Sequence, residues 1–190
     1  MIAKSNLALD QSKDEQQKWR NFQVIQGNYK VSNDVNVVLS TILGSCIATC
    51  LCDPIAGVGG MNHFLLPGDK NDDDKNLSYG AYAMELLING MLKRGAERHR
   101  IEAKIFGGAR MMAGLPEIGE KNIRFAREFL SQENIPCTGE SVGGNGARRV
   151  KFWPASGRVR QLLIEPSEAP QLDEKPAIIA PPAGNDVELF

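Results

Sequence analysis

Histidine is nearly missing from this chain: 190 residues carry only two, His63 and His99. Cysteine is sparse as well, with four residues at irregular spacing and no Cys-x-x-Cys pair, which argues against a zinc or dithiol redox module. Basic and acidic residues nearly cancel, 22 against 23, with no long basic stripe, so nucleic acid is excluded as an expected partner. No apolar run reaches the length a bilayer crossing needs, and membrane insertion is not expected. The opening residues lack the apolar core of a secretion signal, and scattered cysteines without one belong to the reducing cytoplasm. The sequence therefore predicts a soluble cytoplasmic protein. No heptad pattern is visible, which makes a monomer the expectation, and neither a cofactor nor a metal site is expected.

What is present divides the chain into three. Residues 1–20 are a polar extension crowded with Gln, Lys, Asp and Glu between Asp10 and Lys18. Residues 21–165 form the expected folded domain, and residues 166–190 a flexible tail that holds five of the ten prolines. Within the domain, β-like runs are read at Tyr29–Val31, Val35–Leu39, Cys46–Cys52, Val58–Leu66, Ile101–Phe106, Pro136–Thr138, Arg148–Trp153 and Arg158–Ile164. Helical spacing of Tyr79, Ala83, Leu86, Leu87 and Met91 predicts a helix over Ser78–Arg94, closed by Gly95. A second helix is predicted over Asn122–Gln132, and Asp69–Asn76 reads as a solvated acidic connector. Strands interleaved with only two solid helices predict an α+β fold, with a mixed or antiparallel sheet and helices on one face.

The segment Ser40–Pro67 (STILGSCIATCLCDPIAGVGGMNHFLLP) concentrates the chemistry. A thiol attacks only as thiolate, and a neighbouring imidazole is the usual means of generating one near neutral pH. His99 lies in the basic patch Arg94–Arg100, so a base for Cys46 must be His63. Asp53-Pro54-Ile55-Ala56-Gly57 carries the residues of a tight turn. If Asp53 faces Val58, Cys46 opposes Leu65 and Ala48 opposes His63. Cys46 and His63 then share a face as diagonal neighbours, roughly 5.5–8 Å apart at the backbone. A slip of one residue would separate them. Cys46 follows Gly44-Ser45 at a strand's beginning, where backbone amides can form an oxyanion hole. Cys50, Cys52 and Cys137 read as small core residues.

LGSCIATCLCDP, GVGGMNHFLLP, KIFGGARMM, IGEKNIRFAREFL and GGNGARRVKFWPASGRV occur in the order and spacing of the CheD family, and the resemblance covers roughly Tyr29–Ile164. It implies a protein-glutamine glutaminase: a cysteine hydrolase that deamidates glutamines on the cytoplasmic helical domain of chemoreceptors to glutamate. It implies a layered α/β/β sandwich similar to the deamidase domain of cytotoxic necrotising toxins. It implies a catalytic trio of Cys46, His63 and Ser40, the hydroxyl residue six positions before the cysteine. The family usually has threonine there, and Thr41 is adjacent; with Ser45 and Gly44 it is a candidate supporting residue. Asn62, Gly107, Gly108, Gly143 and Gly144 are candidates for contacts with substrate, since glycine admits a foreign backbone. The resemblance also allows a second class of function, a non-catalytic adaptor that binds chemoreceptors or a CheC-type phosphatase.

Overall fold

The computed structural model describes residues 18–66, 73–110 and 117–164. Its strands are β1 (Arg20–Gln23), β2 (Tyr29–Ser32), β3 (Val37–Leu43), β4 (Ile47–Asp53), β5 (Val58–Asn62), β6 (Glu102–Gly107), β7 (Cys137–Val142), β8 (Ala147–Trp153) and β9 (Arg158–Ile164). Helix α1 spans Asp73–Leu92, α2 spans Glu117–Gln132, and Arg98–Arg100 makes one 3-10 turn.

Strand β4 is buried at every position, so both of its faces need cover. Alternate side chains leave a strand on opposite faces. Ile47 and Leu51 join a core with Met84, Leu87 and Ile88 of α1 and Phe125 and Phe129 of α2. Ala48, Cys50 and Cys52 join a second core with Leu39, Leu43, Val150 and Phe152 of the other sheet. The result is three layers: helices, a five-stranded sheet in the order β2-β5-β4-β6-β7, and a four-stranded sheet in the order β1-β3-β8-β9. Both sheets are mixed. β1 runs parallel to β3 and β7 parallel to β6, while the other pairs are antiparallel. The α+β expectation and its layering are thus observed.

The β4–β5 hairpin has the expected register, Asp53 opposite Val58 and Cys50 opposite Met61, and an isolated bridge between Ile47 and Phe64 carries it toward Cys46. Asp53 fixes the turn. Its wholly buried carboxylate accepts from the Ile55 and Ala56 N–H groups at 3.0 Å and the Glu97 N–H at 2.9 Å, and pairs with Arg100 at 2.9 Å. Burial alone would raise its pKa; the Arg100 guanidinium and the three N–H groups outweigh burial and hold it well below the usual carboxylate range.

Several expected boundaries move. Helix α1 starts at Asp73 rather than Ser78, so the end of the acidic connector is helical, consistent with the preference for acids in a first turn. It ends at Leu92, where the Gly95 and Ala96 N–H groups return to the Leu92 and Met91 carbonyls at 3.0 and 3.2 Å. Gly95 takes the positive φ of 93° this closure requires. Helix α2 starts at Glu117 rather than Asn122. Strand β7 is longer than expected because it pairs along β6 after the α2 crossover. At the N-terminal side, Trp19 packs edge-on against Trp153 at 5.9 Å and β1 begins at Arg20, ahead of the first β-like run read from the sequence at Tyr29. Cys137 is exposed, not a core residue, whereas Cys50 and Cys52 are buried. Residues 1–17 of the extension, the start of the acidic connector, Met111 and Met112, and the tail lie outside the described residues.

Candidate active site

The link Gly44-Ser45-Cys46 carries the chain from β3 of one sheet to β4 of the other. All three of its carbonyls are taken by the protein. Gly44 O accepts from the Ala109 N–H at 2.8 Å, Cys46 O from the Gly108 N–H at 2.8 Å, and Ser45 O from Asn122 Nδ2 at 3.2 Å. In a trans peptide the N–H points opposite to the C=O. Anchoring the Gly44 and Ser45 carbonyls therefore turns the Ser45 and Cys46 N–H groups the other way, a geometry that suits anion stabilisation.

Asn122 is wholly buried on α2. Its amide also accepts from the Leu66 N–H at 2.8 Å and donates to Ile118 O at 2.9 Å, so one side chain ties the helix, the segment after β5 and the Cys46 link together. Sequence reasoning missed it; an asparagine inside an otherwise apolar helical face was the only available signal. Gly107 and Gly108 are buried beneath the same link instead of forming an open rim. A Cβ at Gly107 would stand 2.0 Å from the Cys46 carbonyl oxygen, and φ there is 115°. Glycine is required because this chain's own backbone approaches, not a foreign one.

His63 follows β5, only 7% exposed. Its Nδ1 lies 2.9 Å from Thr41 Oγ1 and 3.3 Å from the Val24 carbonyl oxygen. A carbonyl can only accept, so Nδ1 carries the proton and Nε2 presents a lone pair. Nε2 is buried and has no hydrogen-bond partner among the described residues. Burial pushes the imidazole pKa down to about 4, against the Val24 carbonyl, which favours the charged ring. The ring is therefore neutral at physiological pH.

Cys46 is buried, 4% exposed, and belongs to the core cluster between the sheets with Ala48, Cys50, Met61 and Leu65. The hairpin register sets it on the same face as His63. The short segment Val24–Asn28 touches both residues: Val24 O meets His63 Nδ1, and Gln26 Oε1 accepts from the Cys46 thiol at 3.3 Å. Burial raises the pKa of the Tyr79 hydroxyl of α1, and a negative charge on Cys46, when it forms, raises it further. By contrast, burial pushes the Cys50 and Cys52 thiols up, away from reactivity.

The hydroxyl beside the imidazole is Thr41, not Ser40. On β3, Leu39, Thr41 and Leu43 face inward, whereas Ser40 shares the outer side with Val38 and Ile42; Ser40 pairs with Lys151 on β8. Moving one position along a strand reverses the face. Asn62 also points away from the imidazole. Its side chain accepts from the Thr49 N–H at 3.0 Å and reaches Ala83 O of α1 at 3.3 Å, fixing sheet to helix. Gly143 and Gly144 lie in the surface turn between β7 and β8, with φ near 75°. Gly143 N–H bonds to Gly107 O at 2.9 Å, and the buried Arg148 guanidinium is held by Ser141 Oγ and by the Ser141 and Gly143 carbonyls. Among the described residues, no three His, Cys, Asp or Glu side chains gather as metal ligands, and no helix is long and apolar enough to cross a membrane.

A family model described as CheD chemotactic sensory transduction matches residues 65–162. A Caulobacter sp. (strain K31) protein named "Probable chemoreceptor glutamine deamidase CheD" is 56% identical over 171 residues, 88% of this chain and 91% of its own. A Rhizobium meliloti (strain 1021) protein of the same name is 52% identical over 177 residues, 90% of this chain and 96% of its own. Among solved structures, the Bacillus licheniformis hypothetical protein YfiH aligns at 15% identity with a TM-score of 0.41, over 66% of this chain and 60% of that one. That likeness is too loose to bear on fold or function.

Proposed function

The chain belongs to the CheD family, and we propose that it deamidates chemoreceptor glutamines in the cytoplasm with Cys46 as nucleophile, His63 as base and Thr41 as the residue that orients the imidazole. The observation that carries the assignment is the held ring. Nδ1 is bound between Thr41 Oγ1 and Val24 O, so Nε2 is left as a buried acceptor on the face that Cys46 shares.

The steps follow from these atoms. As the substrate carboxamide seats, the Cys46 thiol proton passes to His63 Nε2 and sulfur adds to the amide carbon. The oxygen takes the negative charge, and the Ser45 and Cys46 N–H groups, which point opposite to the anchored Gly44 and Ser45 carbonyls, receive it. Two oxygens already face Nδ1–H, so the imidazolium that forms is stabilised where it stands. It then protonates the departing nitrogen, ammonia leaves and a thioester remains. Neutral His63 next takes a proton from water, which attacks the thioester and releases glutamate and the thiol. Neutral thiol and neutral imidazole are the resting pair, because burial opposes isolated charge here.

Acid quenching during turnover on a receptor cytoplasmic fragment tests the assignment. Intact-mass spectrometry should find a Cys46-linked enzyme–receptor thioester that hydroxylamine cleaves. Full deamidation by the Cys46→Ala variant would overturn it.

A further inference from the structure

Gln26 lies between β1 and β2, in a segment fastened to the histidine on both sides. The Gly27 N–H donates to His63 O at 2.7 Å, His63 N–H donates to Asn28 O at 3.0 Å, and Val24 N–H donates to Ser40 O at 2.8 Å. With its flanks fixed, the Gln26 side chain is delivered to the sulfur, its Oε1 3.3 Å from Cys46 Sγ. Its carboxamide and two-carbon stem are those of the substrate side chain itself. We propose that Gln26 is an internal gate: in the resting enzyme its carboxamide stands at Cys46 in place of the substrate carboxamide, in a pose that keeps the sulfur protonated. The proposal rests on the reading of Cys46 as nucleophile.

The pose is non-productive. The Gln26 oxygen faces sulfur and accepts its proton, whereas attack requires sulfur at the amide carbon with the oxygen toward the Ser45 and Cys46 N–H groups. A carbonyl oxygen stabilises S–H and repels a thiolate, so Gln26 in this pose favours the protonated sulfur. A receptor glutamine that displaces it removes the acceptor and places its own oxygen among the N–H donors. The thiol proton is then left to His63 Nε2. Activation is in this way coupled to arrival of a substrate able to turn the Gln26 side chain aside while Val24 O stays on His63 Nδ1.

The test is the pH dependence of Cys46 alkylation by iodoacetamide, read by peptide mass spectrometry in the full chain with Cys137→Ser as background. Gln26→Met keeps the stem and removes the acceptor. It should lower the midpoint and speed alkylation at pH 7 by about two- to tenfold, the range of one neutral hydrogen bond. Gln26→Glu should raise the midpoint and slow the reaction, with melting temperatures of both variants near that of the parent. An unchanged midpoint in folded Gln26→Met overturns the gate. So does an upward shift, which would mean that the amide offers N–H to a thiolate. Cys46-dependent conversion of Gln26 itself to glutamate also overturns it, since the pose would then be productive. If Cys46→Ala still deamidates receptors, the nucleophile reading fails and takes the gate with it. A flat alkylation response with Cys46→Ala inactive sinks the gate alone.

Discussion

Removing the Thr41 hydroxyl is the sharpest perturbation of the site, because a neighbouring hydroxyl on the same strand provides a matched control. Thr41 Oγ1 lies 2.9 Å from His63 Nδ1 in a buried setting, where leaving a group unpaired costs about 1–3 kcal/mol. The Val24 carbonyl remains, 3.3 Å from the same nitrogen, so the ring keeps one acceptor and the loss falls in the lower part of that range. About 1–2 kcal/mol of transition-state stabilisation corresponds to roughly a 5- to 30-fold drop in kcat/KM for Thr41→Val, most of it in kcat. Thr41→Ser should restore most of the rate. Ser40→Ala should stay within about twofold of the parent, as expected for a surface substitution away from the site, since its side chain lies on the other face of β3. Ammonia release from a receptor cytoplasmic fragment, with thermal melting to confirm folding, reads all three. Greater damage from Ser40→Ala than from Thr41→Val would refute the argument.

The remaining predictions concern charge and packing. The His63 imidazole titrates at about 4, so kcat/KM should be level from about pH 5.5 to 7.5 and fall on acidification as Nε2 protonates. Because that value lies below the ordinary 6.5, stability is complete above pH 6.5 and is lost as pH falls toward 4, by up to about 1.4 kcal/mol per unit. Denaturant melts of His63→Gln should show that slope flattened. The Asp53 carboxylate is held well below its usual range, so its contribution is present above about pH 4 and lost only below it. Asp53→Ala should cost about 1–3 kcal/mol in urea unfolding at pH 7, because it takes the acceptor from the Ile55, Ala56 and Glu97 N–H groups while Arg100 keeps Glu97 at 2.6 Å. In Gly107→Ala the new methyl group would lie 2.0 Å from the Cys46 carbonyl. The variant should lose more than about tenfold in activity through a displaced link, with strain of about 1–3 kcal/mol in the melt; parental activity would show that the link need not be held so closely. Asn122→Ala should lower kcat with little change in KM, since it frees the Ser45 carbonyl without touching a substrate surface.

The hairpin was legible because its information is local. Asp53, Pro54 and Gly57 define the turn, the turn fixes the register, and the register puts Cys46 and His63 on one face. The choice between Ser40 and Thr41 was not legible from spacing. Counting back from Cys46 passes through the irregular Gly44–Cys46 link, where the two-residue period of a strand is lost, so the count cannot say which hydroxyl faces inward. Only the pairing of β3 with β8 restores the parity. Strand β1 was missed for a related reason: Arg20–Gln23 is short and polar, and gains its order from parallel pairing with β3, across a segment that contributes β2 to the other sheet. Asn122, Gly107 and Gln26 act on Cys46 through contacts distant in sequence. No local pattern announces an asparagine that anchors a carbonyl or a glycine that admits one.

The central claim, that this chain converts receptor glutamines to glutamates through Cys46, is tested most directly by peptide mass spectrometry of the receptor. The cytoplasmic fragment of a chemoreceptor from the same cell is incubated with the protein and, in parallel, with Cys46→Ala. A gain of about one mass unit at defined glutamines, expected for NH2 replaced by OH in the chemistry above and absent with the variant, is the predicted result. Equal gains with both proteins, or none with either while receptor binding persists, would contradict the account.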